Sequence, residues 1–403
     1  MEKAGALLLD ALRCAIHQEQ LHLDEMPEQD TLRRLFRLAS EQSIFPLVQQ
    51  ALFSCPQLKN DPLVRSFHPY ARKLTLHQAG RTGDFLLLME QLSAKGLHPA
   101  VLKGIVCRSL YPEPEQRPST DEDILIPAAE YERYHEALIA CGLPPVDPDH
   151  PADGEAEITY GDPARDLFIE LHLSLFSRDD SACGACNKPL EGALDRLVPF
   201  QVYGQTLSTF APTDHLLFLL CHAYKHVLYG GVGIRQICDL CLFAREYAGE
   251  IDWQQLRSAC ARLQILTLAT AFFLIGERYL SIPRPPAFAD GEPDLLPLLE
   301  DCLSGGVYGV EDPDRQRSSR ITLDAVAAGR EGRAQRGVWN SIFPGKAYLQ
   351  NNFPYARKYP VLLPLAWAHR LWNYAAHRDL SASRSLQIGR ERVELLRQYK
   401  IIP

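Results

Sequence analysis

Apolar residues recur at helical spacing at both ends of the chain and at strand spacing only in a short stretch between them. Asp30-Thr31 followed by Leu32, Leu35, Phe36 and Ala39 makes a capped amphipathic helix, stopped near Pro46. Phe85, Leu88, Met89 and Leu92 lead to Lys95-Gly96, a cationic last turn with a glycine stop. Residues 1–95 are therefore expected to be a mainly helical N-terminal region. Ala100-Val101-Leu102 then reads as a short strand into a turn at Lys103-Gly104, followed by an apolar helix around Val106 to Leu110. Asp123 to Pro127 reads as a second strand and Ala128 to Cys141 as a helix. Glu155 to Tyr160, the turn Gly161-Asp162-Pro163, and Asp166 to Leu175 read as a hairpin. From residue 181 the helical period returns and is expected to persist to residue 403. Thr213 or Asp214 would cap a helix through Leu216, Leu217, Leu220, Tyr224 and Val227, and further helices fit Arg235–Tyr247, Trp253–Leu263, Leu266–Leu280, Leu362–Ala376 and Arg390–Tyr399. The Pro-rich stretch Ile282 to Pro297 reads as a linker or surface loop. The predicted class is α+β, with a small strand-rich core over residues 96–180 between two helical regions.

At 403 residues, the chain has a length prior of two or three domains. Its 42 Lys and Arg stand against 50 Asp and Glu, which argues against a non-specific nucleic-acid binder with a basic footprint. No apolar run reaches the ~18 residues a spanning helix needs, and Met-Glu-Lys with Asp10 in the first apolar stretch is not a secretory pattern. A cytoplasmic protein without membrane partners is expected. The eleven scattered cysteines read as reduced, mostly buried thiols. Two CxxC pairs, Cys183/Cys186 and Cys238/Cys241, could supply four zinc thiolates. The second pair lies in an apolar helical run without the turns of a metal knuckle, so helix-face thiols are the simpler reading.

Candidate chemistry lies in the strand-rich segment. Leu167, Ile169, Leu171 and Leu173 alternate with Asp166, Phe168, Glu170 and His172, so one face is apolar and the other carries two carboxylates and an imidazole. Asp121 and Asp123 share a face of the preceding strand by the same period. Such a cluster repels itself unless a divalent cation sits in it, and an all-oxygen donor set suits Mg²⁺ or Mn²⁺. The same residues also read as solvated acids near strand ends.

The run Leu102-Lys103-Gly104, Leu110-Tyr111-Pro112, Arg117-Pro118-Ser119-Thr120-Asp121-Glu122-Asp123-Ile124-Leu125-Ile126 and Ile169-Glu170-Leu171-His172 resembles the uncharacterised nucleotidyltransferase family of the DNA polymerase beta-like superfamily. Weaker likeness continues in His222-Ala223-Tyr224-Lys225-His226, in Arg235 to Asp239, and from Phe343-Pro344 to Arg370. The resemblance implies that Asp121, Asp123 and Glu170 hold two magnesium ions, that Lys103 and Gly104 face the triphosphate of an NTP, with ATP the expected donor, and that an unknown small-molecule, peptide or protein acceptor takes the nucleotide. Two departures, Glu122 between the aspartates and Lys103-Gly104 in place of Gly-Ser, fit the alternative of a catalytically silent nucleotide- or partner-binding module.

Other candidates carry two readings each. Asp166 shares the face of Glu170 but lies nearer the hairpin turn, so Glu170 is preferred as the third carboxylate. Arg117 could bind phosphate or tie down its loop. His172 is a strand histidine or a base. His222, Lys225 and His226 share a helix face that could offer groups to nucleotide or acceptor, or simply be polar. A zinc protease would need a Glu at Ala223, and a His-based metallohydrolase would rest on His222, His226 and Asp239. Arg315, Arg317, Arg320, Arg330, Arg333, Arg336 and Lys346 form a local basic excess that reads as a solvated loop or a phosphate-closing lid.

Overall fold

A computed structural model describes residues 1–147, 156–164, 166–306, 313–330, 359–376 and 381–402, with Leu349, Phe353 and Tyr355 in addition. The fold is α+β, mostly helical around one mixed sheet. The N-terminal region is helical as its periodicity predicts: α1 (Lys3–His17), α2 (Gln29–Glu41), α3 (Phe45–Ser54) and α4 (Pro62–Ala94). Pro46 does not mark a stop. It occupies the first turn of α3, where no N–H is needed. Asp61 caps α4 by accepting from Leu63 N at 2.9 Å and Val64 N at 3.1 Å.

Six strands follow: β1 (Ala100–Leu102), β2 (Glu122–Leu125), β3 (Glu157–Asp162), β4 (Leu167–His172), β5 (Leu197–Val202) and β6 (Gln205–Phe210), in the order β3-β4-β2-β1-β6-β5. The central pairs β2–β4 and β1–β6 are parallel, while β1–β2, β3–β4 and β5–β6 are antiparallel. α5 (Gly104–Arg108) follows β1 and α6 (Tyr131–Ala140) follows β2. β3 runs on through Gly161 and Asp162, so the expected turn begins later than its Gly-Asp-Pro signal.

The expectation of unbroken helix after residue 181 is wrong at β5 and β6. Their connection, Tyr203-Gly204, has positive φ at both residues (46° and 78°), the geometry of a tight hairpin turn whose twist matches the flanking strands. Pro199 sits in β5, an edge strand, where its missing N–H breaks no ladder.

The helices α7 (Pro212–Tyr229), α8 (Ile234–Glu246), α9 (Trp253–Arg262), α10 (Leu266–Leu280), α11 (Leu296–Gly305), α12 (Pro313–Arg330), α13 (Leu363–Ala376) and α14 (Ser381–Gln398) complete the chain. The stripe Leu216, Leu217, Leu220, Tyr224 and Val227 of α7 is buried, which fixes the opposite side of that helix toward the sheet ends. Asp214 does not cap α7; it pairs with Arg196 at 2.9 Å. Arg315 is no part of a surface lid. It is buried, donates to Gly230 O and Ser304 Oγ, and pairs with Asp301 at 2.5 Å. Phe343, Pro344, Arg333, Arg336 and Lys346 lie outside the described residues. No helix among those described is long and apolar enough to cross a membrane.

Candidate active site

Strand register builds the centre of the site. Asp123 on β2 stands opposite Leu102 of β1 on one side and opposite Glu170 of β4 on the other. Parallel pairing with that register puts the Asp123 and Glu170 side chains on one face as direct neighbours. Asp121 immediately precedes β2, near enough to Glu170 for the two carboxyls to interact. Asp166, the rival for the third position, turns out of the ladder at φ 51° and pairs with His77 at 3.3 Å.

Two further groups converge on Asp123, which is 2 % exposed. Lys103 Nζ lies 2.7 Å from Oδ1, and His172 Nε2 lies 2.9 Å from the same oxygen. His172 Nε2 is also 3.7 Å from a Glu170 oxygen. On the far side of the lysine, His222 Nε2 is 2.9 Å from Nζ, and His226 Nε2 is 3.2 Å from His222 Nε2. Lys225 reaches Glu157 at 3.8 Å. The helix face carrying His222, Lys225 and His226 thus stands over the carboxylates, as their shared spacing predicts.

The electrostatics follow from this crowding. Burial alone would raise Asp123, yet Lys103 and His172 hold it well below the usual carboxylate range. Burial and then Asp123 push Glu170 up to about 9, and the same causes raise Asp121. The cluster therefore resists carrying all three negative charges without added positive charge. Burial lowers Lys103, but Asp123, Glu170 and Asp121 more than reverse it, so the ammonium stays charged. Burial and the charge of Lys103 keep His222 neutral and pull His226 down to about 3.

Glu122, the unusual acid between the aspartates, is directed away from this centre. It accepts from Arg108 Nη2 at 2.5 Å and from the Ile105 N–H at 2.8 Å, and Arg108 is wholly buried. Its burial is thereby compensated. Arg117 ties down its loop: Nη2 and Nε donate to the two oxygens of Asp239 at 2.5 and 3.1 Å, and Tyr111 OH donates to Asp239 at 2.8 Å. Arg117 also lines the cleft, and its Nη1 has no hydrogen-bond partner. Asp239 is thus spoken for and does not join His222 and His226 in a metal site.

A cavity of about 40 Å³ lies among Lys103, Gly104, Arg117, Asp121, Asp123 and His222, closed by Arg235 and Gln236 of α8. That is room for an ion with roughly two or three waters, or for the tip of a phosphate. Among the described residues the group able to hold a metal ion is Asp123, Glu170 and His172, whose ligand atoms lie within 4.8 Å of one another. With Asp121 adjoining, the oxygen donors of Asp123 and Glu170 suit Mg²⁺ or Mn²⁺, while His172 Nε2 is turned to Asp123. The two CxxC pairs do not meet. Cys186 lies beside Cys221, whereas Cys241 faces Phe272 O at 3.7 Å.

Residues 28–281 match the model of a family described as uncharacterised nucleotidyltransferase. The chain belongs to that family. No curated protein and no solved structure matches it. The matched span takes in the whole sheet and α7 to α10, so the family's extent includes every residue of the cleft.

Several cleft residues carry no obvious sequence signal. Arg81 and Gln78, from the middle of α4, hold the loop before β2: Arg81 donates to Ser119 O and Thr120 O, and Ser119 N donates to Gln78 at 2.9 Å. Arg235 donates to Pro118 O at 2.5 Å. Arg108 does carry a signal: an arginine in an apolar turn fourteen residues before a core-facing Glu is the partner that Glu requires.

Proposed function

We propose that this family member is a metal-dependent nucleotidyltransferase that moves a nucleoside monophosphate from an NTP, ATP being the expected donor, to a hydroxyl or phosphate of a small-molecule, peptide or protein acceptor. The observation that carries this reading is the pairing of Asp123 with Glu170 on adjacent parallel strands, beside a buried ammonium, with Asp123, Asp121 and Lys103 lining a cleft. A divalent ion held by Asp121, Asp123 and Glu170 would supply charge neutralisation at the reacting phosphate. Each neighbouring side chain then has a task. Lys103 adds a fixed positive charge next to the phosphate path, and the unpartnered Nη1 of Arg117 offers a donor to a phosphate oxygen. Gly104 opens α5 at the cavity wall and lets backbone approach closely. Glu170, the register neighbour of Asp123 on β4, would complete the ion's carboxylate set once the cation's charge favours its ionised form. His222, backed by His226, holds Lys103 in place, and Lys225, paired with Glu157, stands on the same helix face and would offer a charge to the acceptor.

A thermal-shift screen of the four NTPs with and without Mg²⁺ tests the first step, followed by pyrophosphate release with candidate acceptors. A Mg²⁺-dependent stabilisation by one or more NTPs is expected. An unfolding midpoint indifferent to every NTP and to Mg²⁺ would remove the reading.

A further inference from the structure

We infer that the carboxylate cluster takes a single divalent cation, because the ammonium of Lys103 permanently fills the role of a second. The inference rests on the nucleotidyl-transfer reading of the site but concerns what its own residues leave open to an ion.

β1 ends at Leu102, the register partner of Asp123, and the next residue adopts φ 38°, ψ −110°, a conformation that L side chains rarely take. Nothing but glycine adopts it without strain, so the surrounding contacts must hold Lys103 there. Those contacts are Asp123 Oδ1 at 2.7 Å and His222 Nε2 at 2.9 Å, within a site where the lysine also interacts with Asp121 and Glu170. An ammonium has three donors and no acceptor, so His222 Nε2 must accept. His226 Nε2 lies 3.2 Å from that same nitrogen and packs its ring against the His222 ring. Both imidazoles act as positioning residues, and the lysine is braced from behind.

The consequence falls on Asp123. Its Oδ1 already receives Lys103 and, at 2.9 Å, His172 Nε2. A carboxylate that bridges two ions about 3.5–4 Å apart through its two oxygens must have both of them free. With Oδ1 closed by two donors, Oδ2 remains, enough for one ion.

The test is a Mn²⁺ titration of the full chain, with free Mn²⁺ read by EPR and the site counted as the ions that Asp123→Asn fails to hold. Wild type should hold one ion, Lys103→Arg one, and Lys103→Met, of similar length without the charge, two. Two ions on wild type, none on wild type, or one on a folded Lys103→Met would each overturn the inference. If Lys103→Met fails to fold by circular dichroism, the wild-type and Lys103→Arg counts still decide. Turnover does not enter this readout. One ion with no pyrophosphate released from any NTP would defeat the proposed function alone, and two ions on an active enzyme would defeat this inference alone.

Discussion

A carboxylate oxygen of Glu122 occupies the space that a side chain on Gly104 would need. The same oxygen accepts the Ile105 N–H that opens α5, while its partner oxygen pairs with Arg108. The glycine after Lys103 is thus required by the floor beneath it as well as by the cleft above. Glu122, Gly104 and Arg108 form one buried device that sets the turn between β1 and α5.

Gly104→Ala is expected to destabilise the fold by about 1–3 kcal/mol, since the added methyl overlaps a hydrogen-bonded carboxylate with no room to retreat. Glu122→Ala should cost more, about 3–5 kcal/mol, because it strands the fully buried Arg108 charge. Urea unfolding of both variants measures this. A Gly104→Ala protein as stable as wild type would mean that the turn is looser than it is drawn.

Asp121→Asn and Asp123→Asn should both lower nucleotidyl transfer by orders of magnitude, as loss of a metal ligand does. Their stabilities should part company. Asp121 is raised by burial and Asp123, so its neutral replacement relieves repulsion and keeps or raises the melting temperature. Asp123→Asn leaves the Lys103 ammonium without its partner and lowers it. Pyrophosphate release and calorimetry on the same preparations separate the two effects, and equal melting behaviour would count against the Lys103–Asp123 pair.

Divalent metal should stabilise the protein on its own. At a free Mn²⁺ concentration one hundred times the Kd, mass action adds about 2.7 kcal/mol, and EDTA should return the melting curve to its starting point. Glu170→Gln should blunt the response. A full metal response in that variant would place the ion elsewhere.

His215 should make the protein acid-sensitive. Thr209 Oγ1 donates to Val101 O at 2.6 Å, so it must accept from His215 Nδ1–H at 3.1 Å, and Nε2 has no partner among the rings of Phe210, Phe218 and Phe243. Burial pulls its pKa down to about 3. A histidine depressed in the fold stabilises above its unfolded pKa of about 6.5, and that stability is lost as pH falls toward 3. The expected slope is at most about 1.4 kcal/mol per pH unit, and His215→Phe should flatten it by that amount over pH 6 to 4. Chemical denaturation across that range checks the difference between variant and wild type.

Much of the framework was legible in the chain because it depends on local period. The alternation at residues 167–173, the Asp121/Asp123 spacing and the single face of His222, Lys225 and His226 each follow from repeats of two or of three to four residues. The β5–β6 hairpin had a signal too, Tyr203-Gly204 between two alternating runs, but Pro199 masked it because proline argues against a central strand and says nothing against an edge.

What the sequence alone determined is therefore the α+β class, the strand that carries Asp123 with Asp121 just before it, and Glu170 as a candidate third carboxylate. What only the tertiary structure decided is how each charge is compensated. Lys103 meets His222 across 119 residues, Arg117 meets Asp239 across 122, and Arg81 reaches the loop before β2 across 38. Periodicity says which face of an element a residue occupies, but not which distant element will cover that face. A buried charge needs a specific partner within a few ångströms, and that partner is chosen by packing of the whole chain.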